Sequence, residues 1–259
     1  MNNHPFHLVE KSPWPIISSM GLFITILGII KTMNKLNLTL LVMGIMVIIM
    51  CMTQWWRDMT REATYQGLHN KKVVISMKMG MILFIMSEIM LFLSFFWAFF
   101  HSSLAPTIEL GLMWPPMNIK PFNPMSIPLL NTMILISSGV SMTWAHGALL
   151  AKNYSQTMKS LTITITLGTY FSILQLYEYN ESHFCISDSI YGSLFFMSTG
   201  FHGIHVLIGS TFIMISTLRM KSLHYSNYHH VGIECAAWYW HFVDVVWLLL
   251  YMSIYWWGS

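Results

Sequence analysis

The stretch 77-MKMGMILFIMSEIMLFLSFFWAFFHSS-103 decides the fold of this chain. It is a long apolar run whose interior carries a single carboxylate, Glu88. At about 1.5 Å rise per residue, Glu88 lies roughly 16 Å from Met77, near the middle of a bilayer core about 30 Å thick. Because an ionisable side chain is costly at that depth, we expect Glu88 to face protein rather than lipid.

Aromatic side chains share the helical stripe of Glu88, which predicts an aromatic pocket around the carboxyl group. They are Phe84, Phe92, Phe95 and Phe99. Two roles for Glu88 remain open at this point. It either packs and hydrogen-bonds between helices, or it handles protons, as intramembrane acids often do.

The composition is that of an integral membrane protein. Hydrophobic residues make up 55% of the chain and charged residues 9%, against about 25% charged residues in soluble domains. The 259 residues have room for about seven spans of 20 to 25 residues and leave no space for a soluble domain. We therefore predict one membrane domain over residues 1–259. A net charge of +3, with scattered Lys and Arg, does not indicate a nucleic-acid partner.

The apolar runs predict an all-α, polytopic fold with seven transmembrane helices. The predicted spans cover residues 16–33, 38–54, 73–103, 129–150, 157–177, 190–218 and 232–257. The second span is predicted to stop at an aromatic and cationic boundary, so that residues 57–72 form the most charged loop. Six prolines between residues 105 and 128 keep the connection after the third span out of helix.

The distribution of Lys and Arg predicts the orientation of the chain. Seven spans put the termini on opposite sides, and ten of the 13 Lys and Arg residues fall on the side of the N-terminus. The exceptions are Lys31, Lys35 and Lys120. Since positive charge collects on the cytosolic or matrix side of a membrane, the N-terminus is predicted to lie there.

Histidines of several spans are candidate metal ligands. His202 and His205 lie one turn apart in the sixth span, and the candidates on other spans are His101, His146 and His241, of which His241 is placed near mid-depth. A haem with two histidine ligands needs imidazoles from facing helices, and copper needs converging ligands. Two interpretations remain open. Either these residues bind a haem or copper, or they make polar contacts between buried helices.

The seventh span carries a stripe with spacings of 3, 4, 3, 4 and 3 residues. Its members are Glu234, Ala237, His241, Asp244, Leu248 and Tyr251. His241 and Asp244 are one turn apart and can pair, which lowers the cost of burying each. Together with His202 and His205, the polar members are predicted to form a buried seam that holds spans six and seven together. The alternative is a proton path.

An aromatic and cationic group follows the second span. It consists of Trp55, Trp56, Arg57 and Arg61. Such residues serve as ordinary interface anchors or bind anionic lipid headgroups, since basic pockets at the matrix or cytoplasmic face suit phosphates. Both interpretations stay open from the sequence.

Long strings of the sequence resemble the subunit III family of mitochondrial cytochrome c oxidases, from residue 4 to residue 259. Among them are QWWRDMTREATYQG (54–67), GMILFIMSEIMLFLSFFWAFFHSSLAPTIELG (80–111), ISDSIYGSLFFMSTGFHGIHVLIGS (186–210) and HHVGIECAAWYWHFVDVVWLLLYMSIYWWGS (229–259). The resemblance implies two bundles, helices 1–2 over about 16–54 and helices 3–7 over about 73–257, separated by a cleft filled with phospholipid.

The resemblance also implies a function. It indicates a core, non-redox subunit of respiratory complex IV, which transfers electrons from cytochrome c to oxygen and pumps protons. The haem a and copper belong to partner subunits 1 and 2, so no catalytic residue and no metal is expected in this chain. Assembly, stability, proton uptake and oxygen access are the roles implied, together with contacts to accessory subunits and bound phospholipid.

The resemblance assigns a place and roles to individual residues. It implies the mitochondrial inner membrane, with the N-terminus in the matrix and the C-terminus in the intermembrane space. Glu88 matches the carboxylate that reacts with carbodiimides in this family. Arg61 and Arg219 match arginines near bound lipid headgroups.

Overall fold

The computed structural model describes residues 7, 9–35, 37–108 and 111–259. This part of the chain contains seven α-helices, as the sequence predicted. They are α1 (Trp14–Lys35), α2 (Thr39–Thr64), α3 (Lys71–Leu104), α4 (Ile127–Leu150), α5 (Tyr154–Asn180), α6 (Ile190–Lys221) and α7 (Val231–Leu250), and a π-helical segment, Tyr251–Trp257, continues α7. The described residues thus confirm the prediction of an all-α, polytopic membrane fold.

Six of these helices are long and apolar enough to cross a membrane, counted over the described residues. The remaining one is α5, which has 27 residues but is richer in hydroxyl side chains. Those hydroxyls bond to backbone carbonyls of their own helix, as Thr164 does to Ser160 at 2.9 Å. The lower hydropathy of α5 is therefore compatible with a helix whose polar groups are satisfied internally.

The predicted end of the second span was wrong. α2 does not stop before Trp55 but continues to Thr64, and α3 already begins at Lys71. The predicted loop at residues 57–72 is therefore reduced to residues 65–70. Arg and Glu are good helix formers, and no Gly or Pro interrupts the sequence before Gly67, so the helix extends into its charged end.

The contacts divide the chain into two compact units, the residues up to Met77 and those from Lys78 onward. In the first unit, α1 and α2 approach each other closely at small residues. A Cβ placed on Gly28 would lie 2.6 Å from the backbone of Leu41, and one on Gly44 would lie 2.7 Å from the backbone of Thr25. Glycine therefore allows this approach, as in other tightly packed membrane helices.

The second unit has a buried core in which aromatic side chains also donate hydrogen bonds. Trp240 donates from its indole Nε1 to Ser138 Oγ at 2.9 Å, and Trp247 donates to Thr132 Oγ1 at 3.1 Å. Both indoles are fully buried, and both bonds join α7 to α4. This packing positions the polar residues described next.

Candidate functional site

Glu88 of α3 and His205 of α6 form a partly buried polar pair in the second unit, with side chains 19% and 8% exposed. The carboxylate Oε2 of Glu88 lies 2.9 Å from Nε2 of His205. The other ring nitrogen, Nδ1, lies 2.6 Å from the carbonyl oxygen of Phe201. Because a carbonyl only accepts, Nδ1 carries a hydrogen and donates it. The contact between Nε2 and Oε2 therefore needs one further proton, placed either on the imidazole or on the carboxyl group.

Aromatic rings pack against His205, and one of them comes from the predicted stripe on α3. The ring of Phe92 packs against that of His205 at 5.1 Å between centroids, and Tyr239 stacks on His205 at 6.3 Å. Phe84 stacks on Tyr239 but is about half exposed, whereas Phe95 packs on Phe201 and Phe99 on Trp114. The stripe thus predicted the ring of Phe92 beside the pair but not the whole pocket, and His205 was not identified as the partner of Glu88. Its position halfway along α6, like that of Glu88 in α3, was the available signal.

His202 contacts a different helix. Its Nε2 lies 3.2 Å from the carbonyl oxygen of Val243 in α7, and its ring packs against Trp247. The side chain of His241 is 41% exposed and lies 3.8 Å from Asp244, measured from Nδ1 to Oδ2. His205 already uses both nitrogens, so the three histidines do not converge on one haem or copper. Within the described chain, the groups of three side chains that could hold a metal lie elsewhere.

The polar stripe of α7 does not form the single predicted seam with α6. Glu234 pairs with Lys78 of α3 and with His230. Asp244 faces α4, where a Cβ on Gly139 would clash with its carboxylate. Of the predicted set, His202 joins α6 to α7 by a hydrogen bond, and His205 contacts α7 through its ring. The reason is that α7 packs among several helices, so residues along one stripe meet different neighbours.

The predicted lipid-binding residues of the first unit lie at one pocket and beside it. A pocket of about 470 Å³ is lined by Trp55 and Arg61, and also by acidic Asp58. Arg57 pairs with Asp58 at 3.2 Å between Nη2 and Oδ1, and Trp56 is exposed. The pocket thus offers an aromatic wall and charges of both signs.

Arg219 lies in the second unit, at the end of α6. Its guanidinium carbon is 4.6 Å above the ring of Tyr225, a cation–π contact that fixes the arginine side chain. Burial raises the pKa of the Tyr225 phenol, an effect that the charge of Arg219 opposes. The phenol of Tyr225 therefore stays neutral.

Comparison with known proteins gives matches over nearly the full length. The family model described as "Cytochrome c oxidase subunit III" matches residues 4–259. The chain is similar to cytochrome c oxidase subunit 3 of Anopheles quadrimaculatus, with 60% identity over 257 residues, 99% of this chain and 98% of that protein. The same-named protein of Drosophila melanogaster is 59% identical over 258 residues, 100% and 98% of the two chains. That of Branchiostoma lanceolatum is 54% identical over 256 residues, 99% and 98%.

Proposed function

This chain belongs to the cytochrome c oxidase subunit III family, and from that premise we propose that it is a non-redox core subunit of the respiratory oxidase, complex IV. The observation that carries the proposal is the identity of 54 to 60% with the three relatives named above over their whole length. All three are named as subunit 3 of cytochrome c oxidase. In this proposal the chain assembles with subunits 1 and 2, which hold the haem a and copper, and with accessory subunits.

The geometry of the histidines supports a non-redox role. A haem or copper bound by His202, His205 and His241 would require converging imidazole nitrogens. His205 instead contacts Glu88 and the Phe201 carbonyl, and His202 contacts the Val243 carbonyl. These histidines therefore act as bonds between helices.

Glu88 and His205 are the residues to which we assign a proton-linked role. With Nδ1 of His205 committed to a carbonyl, the two groups hold one proton between them, on either side of a 2.9 Å contact. Such a pair retains a proton near mid-membrane without leaving a lone charge among apolar side chains. In this proposal it supports the proton uptake of the oxidase. The test of this role is the conservative variant of Glu88 described in the Discussion.

Location and lipid contact complete the proposal. We place the chain in the mitochondrial inner membrane with its N-terminus in the matrix and its C-terminus in the intermembrane space, in accord with the bias of Lys and Arg. Trp55 and Arg61 bind a phospholipid headgroup at their pocket, with Arg57 and Trp56 beside it. Arg219, held over Tyr225, contributes a second cationic contact for phospholipid.

Selective removal of this chain from the purified oxidase tests the proposed function. We expect the depleted complex to keep its haem and copper content, and to lose activity faster during sustained oxidation of cytochrome c. Re-adding the chain with lipid restores the initial lifetime. If the depleted complex lacks haem or copper in proportion to the chain removed, the non-redox role is wrong.

A further inference from the structure

Three ionisable side chains of the second unit, distinct from the Glu88 site, converge at one end of the helices. His146 lies near the end of α4, His230 immediately precedes α7, and Glu234 is in the first turn of α7. One nitrogen or oxygen from each lies within 4.8 Å of the others. The rings of His146 and His230 are 5.5 Å apart between centroids.

The hydrogen bonding of His230 leaves its lone pair facing this group. Nδ1 lies 3.0 Å from the carbonyl oxygen of Ser226, so Nδ1 carries the hydrogen and donates it. In the neutral ring, Nε2 is then an acceptor, and it faces Glu234 Oε1 at 3.2 Å, where two lone pairs repel each other. His230 is only 4% exposed, and its Nε2 has no hydrogen-bond partner.

His146 presents a second unpaired nitrogen to the same space. Its Nε2 is buried and has no hydrogen-bond partner. A lone pair of His230, an unpaired ring nitrogen of His146 and a carboxylate oxygen thus lie together, an arrangement that a shared cation satisfies. The hydrogen bond from His230 Nδ1 to a backbone carbonyl is also the outer contact that orients histidine ligands in metal sites.

We propose that His146, His230 and Glu234 form a binding site for a divalent transition-metal ion of the zinc class. Two imidazoles and one carboxylate, with a fourth position left open, are a donor set that zinc takes in proteins. His230 Nε2 and Glu234 Oε1 already have a separation close to that of two ligands around one tetrahedral ion, about 3.3 Å for bonds near 2.0 Å. His146 Nε2 supplies the third ligand.

Lys78 makes metal binding at this site weaker than at a structural zinc site. Its ammonium group pairs with the other carboxylate oxygen of Glu234, Oε2, and so places a positive charge beside the metal position. The side chain of Lys78 is about one-third exposed, which leaves a route from solvent. We therefore expect reversible binding that competes with the Lys78 ion pair, and tighter binding once that charge is removed.

The test uses the purified complex that contains this chain, and its readouts are metal binding and position rather than activity. Zn²⁺ is titrated by equilibrium dialysis into the wild type, His146→Gln and the control His229→Gln, which changes an exposed neighbour of the site. We expect His146→Gln to lower the affinity of one zinc equivalent at least about tenfold, because loss of an outer partner alone costs 10- to 100-fold. His229→Gln should bind zinc as the wild type does.

The position of the bound ion and the direction of the affinity change in Lys78→Met decide whether the proposal holds. Anomalous scattering at the zinc edge should show one ion between the three side chains, and Lys78→Met should raise its affinity by about tenfold. Equal binding by the wild type and His146→Gln, together with no anomalous peak at the cluster, would overturn the proposal and leave an imidazolium–carboxylate pair. Weaker zinc binding by Lys78→Met than by the wild type would show that Lys78 does not compete with the ion for Glu234. Neither result depends on whether the chain serves the oxidase as proposed.

Discussion

The two compact units of this chain differ in how much of their apolar helices they bury. In the first unit, only 11% of the most apolar window of α2 is buried, and the corresponding value for α1 is 17%. In the second unit, the values are 50% for α4, 44% for α6 and 61% for α7 with its π-helical continuation, whereas α3, most of which belongs to this unit, has 11%. The first unit is a pair of helices with apolar side chains turned outward. The second is a bundle with a core of its own.

This difference indicates which interactions hold the helices of each unit together. Lipid tails are as apolar as the side chains, so burial of apolar surface does not drive helices together in a membrane. The second unit uses hydrogen bonds between helices, such as those of Trp240 with Ser138 and of Glu88 with His205. The first unit has such a bond at its end, from Trp14 Nε1 to Asp58 Oδ2 at 2.7 Å, and along the rest of α1 and α2 it uses close approach at Gly28 and Gly44. The variants that follow test this contrast.

Replacing His205 with Leu should have the largest effect, because it leaves the Glu88 carboxylate buried without its partner. Removing one member of a buried charged pair costs about 3 kcal/mol or more. We expect a lower thermal transition of the complex and loss of this chain during purification. The matched control is His101→Leu on the exposed surface of α3, and equal stability of the two variants would contradict the role of the pair.

The next largest effect is expected in the first unit, from Gly28→Ala. The added methyl group would meet the backbone of Leu41, so α1 and α2 must separate, at a cost of about 1 to 3 kcal/mol. Gly147→Ala is the control, because a Cβ there meets nothing within 4 Å. Thermal denaturation of the complex measures both. Should Gly28→Ala prove as stable as its control, close approach does not hold the first unit together.

A smaller effect is expected from Trp240→Phe in the second unit. The change keeps most of the aromatic packing but removes the hydrogen bond to Ser138, worth about 1 kcal/mol. The double variant with Ser138→Ala should cost little more than Trp240→Phe alone, since both remove the same bond. Fully additive losses in this double-mutant cycle would show that the bond contributes nothing.

Glu88→Gln should change stability less, by under about 1 kcal/mol. The Gln amide donates a hydrogen bond to the bare Nε2 of His205, so the contact is kept while the shared proton is lost. We expect normal assembly and electron transfer, no reaction with carboxyl reagents at this position, and a modest change in proton uptake. An assembled complex that had lost all electron transfer would be inconsistent with a supporting role.

The smallest effect on stability is expected from Arg61→Ala combined with Arg219→Ala, one residue from each unit. Arg61 is exposed near the end of α2, where a charge contributes little to folding, and Arg219 is half-buried over Tyr225, a contact worth about 0.5 to 1 kcal/mol. We expect fewer phospholipids per purified complex by lipid mass spectrometry. Lys152→Ala, a basic residue in the exposed turn after α4, is the control. A lipid content like that of the wild type would show that these arginines do not bind phospholipid.

The sequence predicted the apolar framework better than the polar contacts. The continuous helix around Glu88 and the ring of Phe92 on its stripe follow from spacing along one helix, and the structure has both. The partner of Glu88 depends on how α6 is rotated against α3, which no local pattern determines. His146 was a candidate ligand from the sequence, but its grouping with His230 was missed for the same reason, since the two are 84 positions apart in the chain and neither belongs to a motif. The end of α2 was misplaced because charge was taken as a helix boundary.

The central claim, that this chain is a non-redox subunit whose interior polar groups join helices, is tested most directly by iron and copper analysis of the chain released from the purified oxidase. We predict that iron, copper and the haem absorption all remain with the depleted complex, whether or not the released chain carries zinc. Haem or copper recovered in stoichiometric amount on this chain would contradict the account.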